Sequence, residues 1–246
     1  MTAALMAALT ATMIATAFLS GIFGMAGGLI LMGVLLALLP LPEAMALHAV
    51  TQIASNGWRG LLWIRHVRWR AAGAFLIGCA IAFGLWTVWR YVPSKPVAFI
   101  LLGVSPFVVR LVPVTLKPNP DRLLHGAIYG SACMSLMMLA GVAGPLIDSY
   151  FLGGNLDRRE IISTKAVCQI FSHSAKFLYF GGLVEQAAGL DLTMAALAVA
   201  ASIAGTSLAK PILERLTDTQ YRTWATNMIT VIGIVYLAHG SYLLVR

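Results

Sequence analysis

The chain has 246 residues, 59% of them hydrophobic and 11% charged, with a mean hydropathy of +0.85. A soluble domain has roughly a quarter of its residues charged, so this composition excludes one and places the chain in a lipid bilayer. The formal charge of +8 does not point to a nucleic-acid partner, because Lys and Arg fall in short segments between apolar runs, where they report topology.

The first apolar run, 5–23, lacks the basic start of a cleaved signal peptide and is expected to stay in the mature protein. It is followed by Gly24-Met25-Ala26-Gly27-Gly28, a second run at 28–39, and Pro40-Leu41-Pro42. A spanning helix needs about 20 residues, so the second run is too short, and the two together predict a broken or re-entrant helical pair. Fuller spans are predicted at 43–64, 71–90 and 97–113. The run 124–140 then leads into Gly141-Val142-Ala143-Gly144-Pro145 and a short run to Phe151, followed by spans at 160–181, 191–209 and 223–245. Glycine permits the break, and Pro145 suits the first turn of the helix that restarts there. Cys79, Cys133 and Cys168 are odd in number, far apart in sequence and each in an apolar run. They read as packing residues, with no disulfide framework and no metal site.

The pattern occurs twice, 117 residues apart. EAMALHAVTQIASNGWR at 43–59 returns as EIISTKAVCQIFSHSAK at 160–176, with Glu43/Glu160, Ala49/Ala166, Val50/Val167, Gln52/Gln169, Ile53/Ile170 and Ser55/Ser172 identical. The breaks share Gly24/Gly141, Ala26/Ala143, Gly27/Gly144, Leu29/Leu146 and Ile30/Ile147 at the same displacement. The loop at 65–70, RHVRWR, carries three Arg, whereas its counterpart at 182–191 has Glu185 and Asp191 and no basic residue. The positive-inside rule puts these equivalent loops on opposite sides. Lys117 and Arg122, Arg158 and Arg159, and Lys210, Arg215 and Arg222 then fall inside, with Arg90 and Lys95 as exceptions. The expected fold is an all-α polytopic membrane protein of two inverted repeats, 1–116 and 117–246. Each repeat is a broken helical pair followed by three transmembrane helices.

In each copy of the repeated helix the polar residues fall at i, i+4, i+7 and i+11: His48, Gln52, Ser55 and Arg59, then Lys165, Gln169, Ser172 and Lys176. That spacing is one stripe, and inside so apolar a chain it faces a site or pathway between helices; Asn56 and His173 flank it. Helices restarting at Gly28 and Pro145 would aim unpaired backbone N–H groups and a positive dipole end into the membrane centre, which favours an anion. The candidate substrate-binding set is therefore Gly27, Gly28, His48, Gln52, Ser55, Arg59, Gly144, Lys165, Gln169, Ser172 and Lys176. Asp148, with Leu31 as its repeat equivalent, is an intramembrane acid and the candidate for coupling to an ion. Glu43 and Glu160 open their helices and suit the dipole there. Bland readings stand beside these: glycines that permit close packing, basic side chains that snorkel, and polar side chains that glue helices together.

Inverted repeats with discontinuous helices are the plan of many secondary transporters. The paired G-x-A-G-[GP] breaks, each followed after about 20 residues by A-V-x-Q-I-x-S, resemble the TauE/SafE family of sulfite exporters and 4-toluene sulfonate uptake permeases over nearly the whole chain. The resemblance implies a bacterial-type inner-membrane carrier of sulfite, sulfoacetate or related sulfonates, coupled to a proton or sodium gradient. No cofactor, metal or nucleic-acid partner is expected; the partners are a small anion and the bilayer. No H-E-x-x-H, G-x-S-x-G or paired intramembrane aspartates are present, so an enzyme is not expected. The residues alone leave an anion channel or a non-transporting scaffold open.

Overall fold

In lipid a spanning segment must satisfy its own backbone, which leaves the helix as its natural form for a chain without barrel patterning. A computed structural model describes residues 2–23, 26–111, 118–152, 156–184, 189–213 and 218–245; Gly24, Met25, Lys117, Glu185 and Arg215 lie outside the described residues. Among these, the regular structure is entirely helical: α1 (Ala3–Phe23), α2 (Ala26–Leu38), α3 (Leu41–Leu62), α4 (Trp69–Trp89), α5 (Lys95–Leu111), α6 (Leu123–Ala140), α7 (Gly144–Leu152), α8 (Arg158–Leu178), α9 (Leu192–Leu213) and α10 (Asp218–Val245). Five are long and apolar enough to cross a membrane: α1, α4, α6, the first part of α9 and most of α10. Their outward faces stay apolar, with Ile77, Ile81, Leu85 and Val88 of α4 and Val231, Ile234 and Val235 of α10 exposed, as lipid contact requires.

Each broken pair is a full helix followed by a shorter one, 21 and 13 residues in the first case and 18 and 9 in the second. The second break is visible in detail. Gly141 takes a φ of 78° and closes α6 with its N–H on the Met137 carbonyl, a left-handed cap that favours glycine. In the first pair α2 folds back along α1: a Cβ on Gly27 would run into the Thr16 carbonyl oxygen and lie 2.7 Å from the Ser20 nitrogen. At the start of α8, Asp157 accepts from the Arg159 and Glu160 N–H groups while Glu160 accepts from the Asp157 N–H, a capping box. Glu43 lies in the first turn of α3 without a side-chain cap bond.

Between helices in lipid, close approach of small residues replaces the hydrophobic effect as the main source of attraction. Gly78 of α4 sits against the Ala127 backbone of α6, and Gly130 of α6 against the Phe75 and Cys79 backbone of α4. Gly21 of α1 meets Thr206 and Ala209 of α9, and Gly205 of α9 meets Ala17 and Phe18 of α1. These two pairs exchange when the first five helices are swapped with the last five. Helices that correspond also pack on each other. In α3 and α8, His48 lies beside Lys176 and Gly60 beside Ala166, so the two run antiparallel. In α5 and α10, Gly103 lies against Leu237, Gly240 against Ile100, and Arg110 bonds the Thr226 carbonyl, again antiparallel.

The basic loop before α4 shares one end of the bundle with the starts of α6 and α8. Arg68 pairs with Glu160 at 3.2 Å and reaches Asp121 at 3.8 Å, and the Arg159 guanidinium lies over the Trp63 ring. At the other end Trp86, Trp89, Tyr91 and Tyr179 cluster, with the Tyr179 hydroxyl on the Tyr91 carbonyl at 2.9 Å. Aromatic side chains of this kind favour the membrane interface.

Candidate functional site

α3 and α8 lie side by side with both helix breaks against them, and a small pocket forms where the four segments meet. It is lined by Gly28 of α2, His48, Gln52, Asn56 and Arg59 of α3, Val142, Ala143 and Gly144 of the second break, and Gln169 and His173 of α8. None of these ten is acidic. Gly28 sits against the Gln52 carboxamide, to which a Cβ there would come within 3.5 Å. Gly28 in the first turn of α2 and Gly144 at the start of α7 line it from the two halves, and a helix start attracts negative charge.

Behind the lining, three hydrogen bonds run in series from one break to the other, and the middle one joins the halves. The His48 Nε2–H donates to the Gly28 carbonyl at 2.9 Å; a carbonyl can only accept, so the proton is on Nε2. His48 Nδ1 is then an acceptor, and Lys176 Nζ donates to it at 2.8 Å and to the Gly141 carbonyl at 2.8 Å. Lys176 and His48 are both 0% exposed. Among the described residues no carboxylate pairs with Lys176. With a neutral imidazole and a carbonyl as its partners, the charged form of Lys176 is expensive unless an anion comes near it. The His48 and His173 rings lie 5.5 Å apart.

Other members of the predicted set face elsewhere. Ser55 bonds Thr206 of α9 at 2.9 Å. Ser172 bonds the Cys168 carbonyl at 3.0 Å and lies 3.7 Å from the Cys79 thiol of α4. Gly27 is packed on α1. Lys165 forms an ion pair with Asp148 of α7, so the intramembrane acid has a partner on the adjacent helix. Arg59, which lines the pocket, also donates to the Ser20 carbonyl at 3.4 Å and to Ser55 at 3.5 Å. Asn56 and His173, set beside the stripe in the sequence, line the pocket; Val142 and Ala143 enter because the break itself forms a wall. The three cysteines are free and buried, and no group of metal-ligating side chains occurs among the described residues.

No significant match exists among curated proteins or solved structures. The sequence model of the sulfite exporter TauE/SafE family, in contrast, matches residues 9–236, a span that holds both breaks, both polar helices and every pocket residue. The chain therefore belongs to the sulfite exporter TauE/SafE family and is an integral membrane protein of a transporter family.

Proposed function

We propose that the chain is a secondary carrier that moves small sulfur-containing anions, sulfite, sulfoacetate or related sulfonates, across the cytoplasmic membrane by alternating access. The observation that carries this reading is the pocket between the two helix breaks, lined by two Gln, two His and Arg59 with no acid and backed by the buried Lys176. Backbone N–H groups and neutral amides give an oxyanion directional partners, and the cations supply its counter-charge. The halves 1–116 and 117–246 act as inverted repeats. Antiparallel packing of α3 on α8 and α5 on α10 supports this, together with the basic loop at 65–70 and its acidic counterpart. Rocking one half against the other would then expose the pocket alternately to each side.

Asp148 is the coupling group in this scheme. Its carboxylate neutralises Lys165; protonating it releases the ammonium as a further attraction for the anion, so proton and anion binding favour each other, and by linkage reciprocally. The test is tracer flux in proteoliposomes with sulfur oxyanions, sulfonates and carboxylates under imposed proton and sodium gradients. Saturable, gradient-dependent flux of the sulfur anions is expected. Flux that never saturates assigns a channel, and none that depends on the pocket assigns a scaffold.

A further inference from the structure

The pocket holds a group that a bare anion cannot satisfy. Asn56 is 2% exposed and lines the pocket, and its Nδ2–H donates to the Gln52 backbone carbonyl one turn earlier at 2.9 Å. Because that carbonyl can only accept, the bond sets which end of the amide faces which way. The remaining end, Oδ1, is buried and has no partner among the described residues. An amide oxygen is acceptor-only, as are the oxygens of a fully ionised sulfonate or sulfite. On the facing helix His173 Nδ1 is also buried and unpartnered, but an imidazole nitrogen can serve either role, so Asn56 is the discriminating group.

We propose that the anion taken by this pocket carries a neutral hydrogen-bond donor, a hydroxyl, delivered to Asn56 Oδ1 while its charged oxygens face the helix breaks, the two Gln and Arg59. The class this describes is a small hydroxyalkanesulfonate. An ammonium donor fits worse, because none of the ten lining residues is acidic and a buried cation needs a counter-charge. The inference rests on the anion-carrier reading and narrows its substrate.

Isothermal titration of the full detergent-solubilised protein with three probes of similar size tests it: 2-hydroxyethanesulfonate, its near-isostere propane-1-sulfonate, and 2-aminoethanesulfonate. The hydroxyl compound is expected to bind about tenfold tighter than propane-1-sulfonate, since the isostere leaves the amide oxygen unpaired, and tighter than the amine. In Asn56→Ala, a substitution that suits a helix, the ratio of the first two is expected to fall to about one. Equal affinities in the native protein overturn the inference without any variant, as does a preference that survives Asn56→Ala or tightest binding of the amine. Binding of both sulfonates without preference leaves the carrier reading intact; no binding by any sulfonate or by sulfite removes that reading and this one with it.

Discussion

Adjacent glycines at the start of α2 should respond in opposite ways to the same added methyl group. A Cβ on Gly27 meets backbone, the Thr16 carbonyl oxygen and the Ser20 nitrogen at 2.7 Å, and backbone cannot rotate aside as a side chain can. Overpacking of this kind costs about 1–3 kcal/mol. The gain in helix propensity from Gly to Ala is at most about 1 kcal/mol in a helix interior and less in a first turn. Gly27→Ala is thus expected to lose about 1–2 kcal/mol, a melting temperature lower by roughly 2–8 °C for a chain of this length. A Cβ on Gly28 meets only the Gln52 carboxamide at 3.5 Å, an ordinary contact, so the fold should keep its melting temperature. The methyl group does take up the space in which that carboxamide would turn toward an anion. Losing a hydrogen bond to a charged group costs about 1.5–3 kcal/mol, so sulfite affinity should fall about ten- to hundredfold. Thermal melts in detergent with and without sulfite measure both. Unchanged melting of Gly27→Ala, or full affinity in Gly28→Ala, would refute the assignment of one glycine to packing and the other to the site.

Other expectations follow from the same geometry. Gln52→Ala or Gln169→Ala should weaken the thermal stabilisation conferred by sulfite while the ligand-free protein stays folded; normal stabilisation in both would make the carboxamides helix glue. Asp148→Asn, which imitates the protonated acid, should still exchange anion between the two sides yet fail to concentrate it when a proton gradient is imposed; loss of both activities in the same vesicles would make the Lys165 pair structural, and retention of both would place coupling elsewhere. Single cysteines at Arg68 and Asp191, in a background without the native three, should react with impermeant reagents from opposite sides, and labelling from one side would contradict the inversion. Asp157 accepts the Glu160 N–H and then the Arg159 N–H, which hold its carboxyl below the usual range. Its contribution is therefore present above the unfolded value of about 3.9 and is lost as pH falls through the lower folded value. Asp157→Asn, which still caps, should flatten that acid limb in thermal melts, and an unchanged limb would assign it to other carboxylates.

Much of the candidate site was legible because it is written twice. The 117-residue displacement aligned the two breaks with the two polar helices, and the pocket draws His48, Gln52, Arg59 and Gln169 from that stripe. The centre of the stripe was harder to place. At about 100° per residue, Ser55 lies about 60° to one side of Gln52 and Asn56 about 40° to the other, and the pocket is on the Asn56 side. Ser172 and His173 divide in the same way, so Ser55 and Ser172 turn toward α9 and α4 while Asn56 and His173 take the lining. Both of the latter are polar at equivalent positions, which was the available signal. Contacts between helices had no signal in one sequence: the bond from Lys176 to His48 joins residues 128 apart, and the pairing of Lys165 with Asp148 depends on how α7 turns into α8. The five long apolar helices, α1, α4, α6, α9 and α10, followed from hydropathy because lipid leaves the backbone few alternatives.

If one closed site carries the anion across the membrane, counterflow distinguishes it from an open path. Purified protein is reconstituted into vesicles loaded with unlabelled sulfite, diluted so that no net gradient drives uptake, and labelled sulfite is added outside. A carrier should accumulate label transiently above equilibrium, with saturable dependence on external sulfite and with the overshoot reduced in Gln52→Ala and Gln169→Ala. Label that rises monotonically to equilibrium at a rate linear in concentration, or an overshoot indifferent to both glutamines, would contradict it.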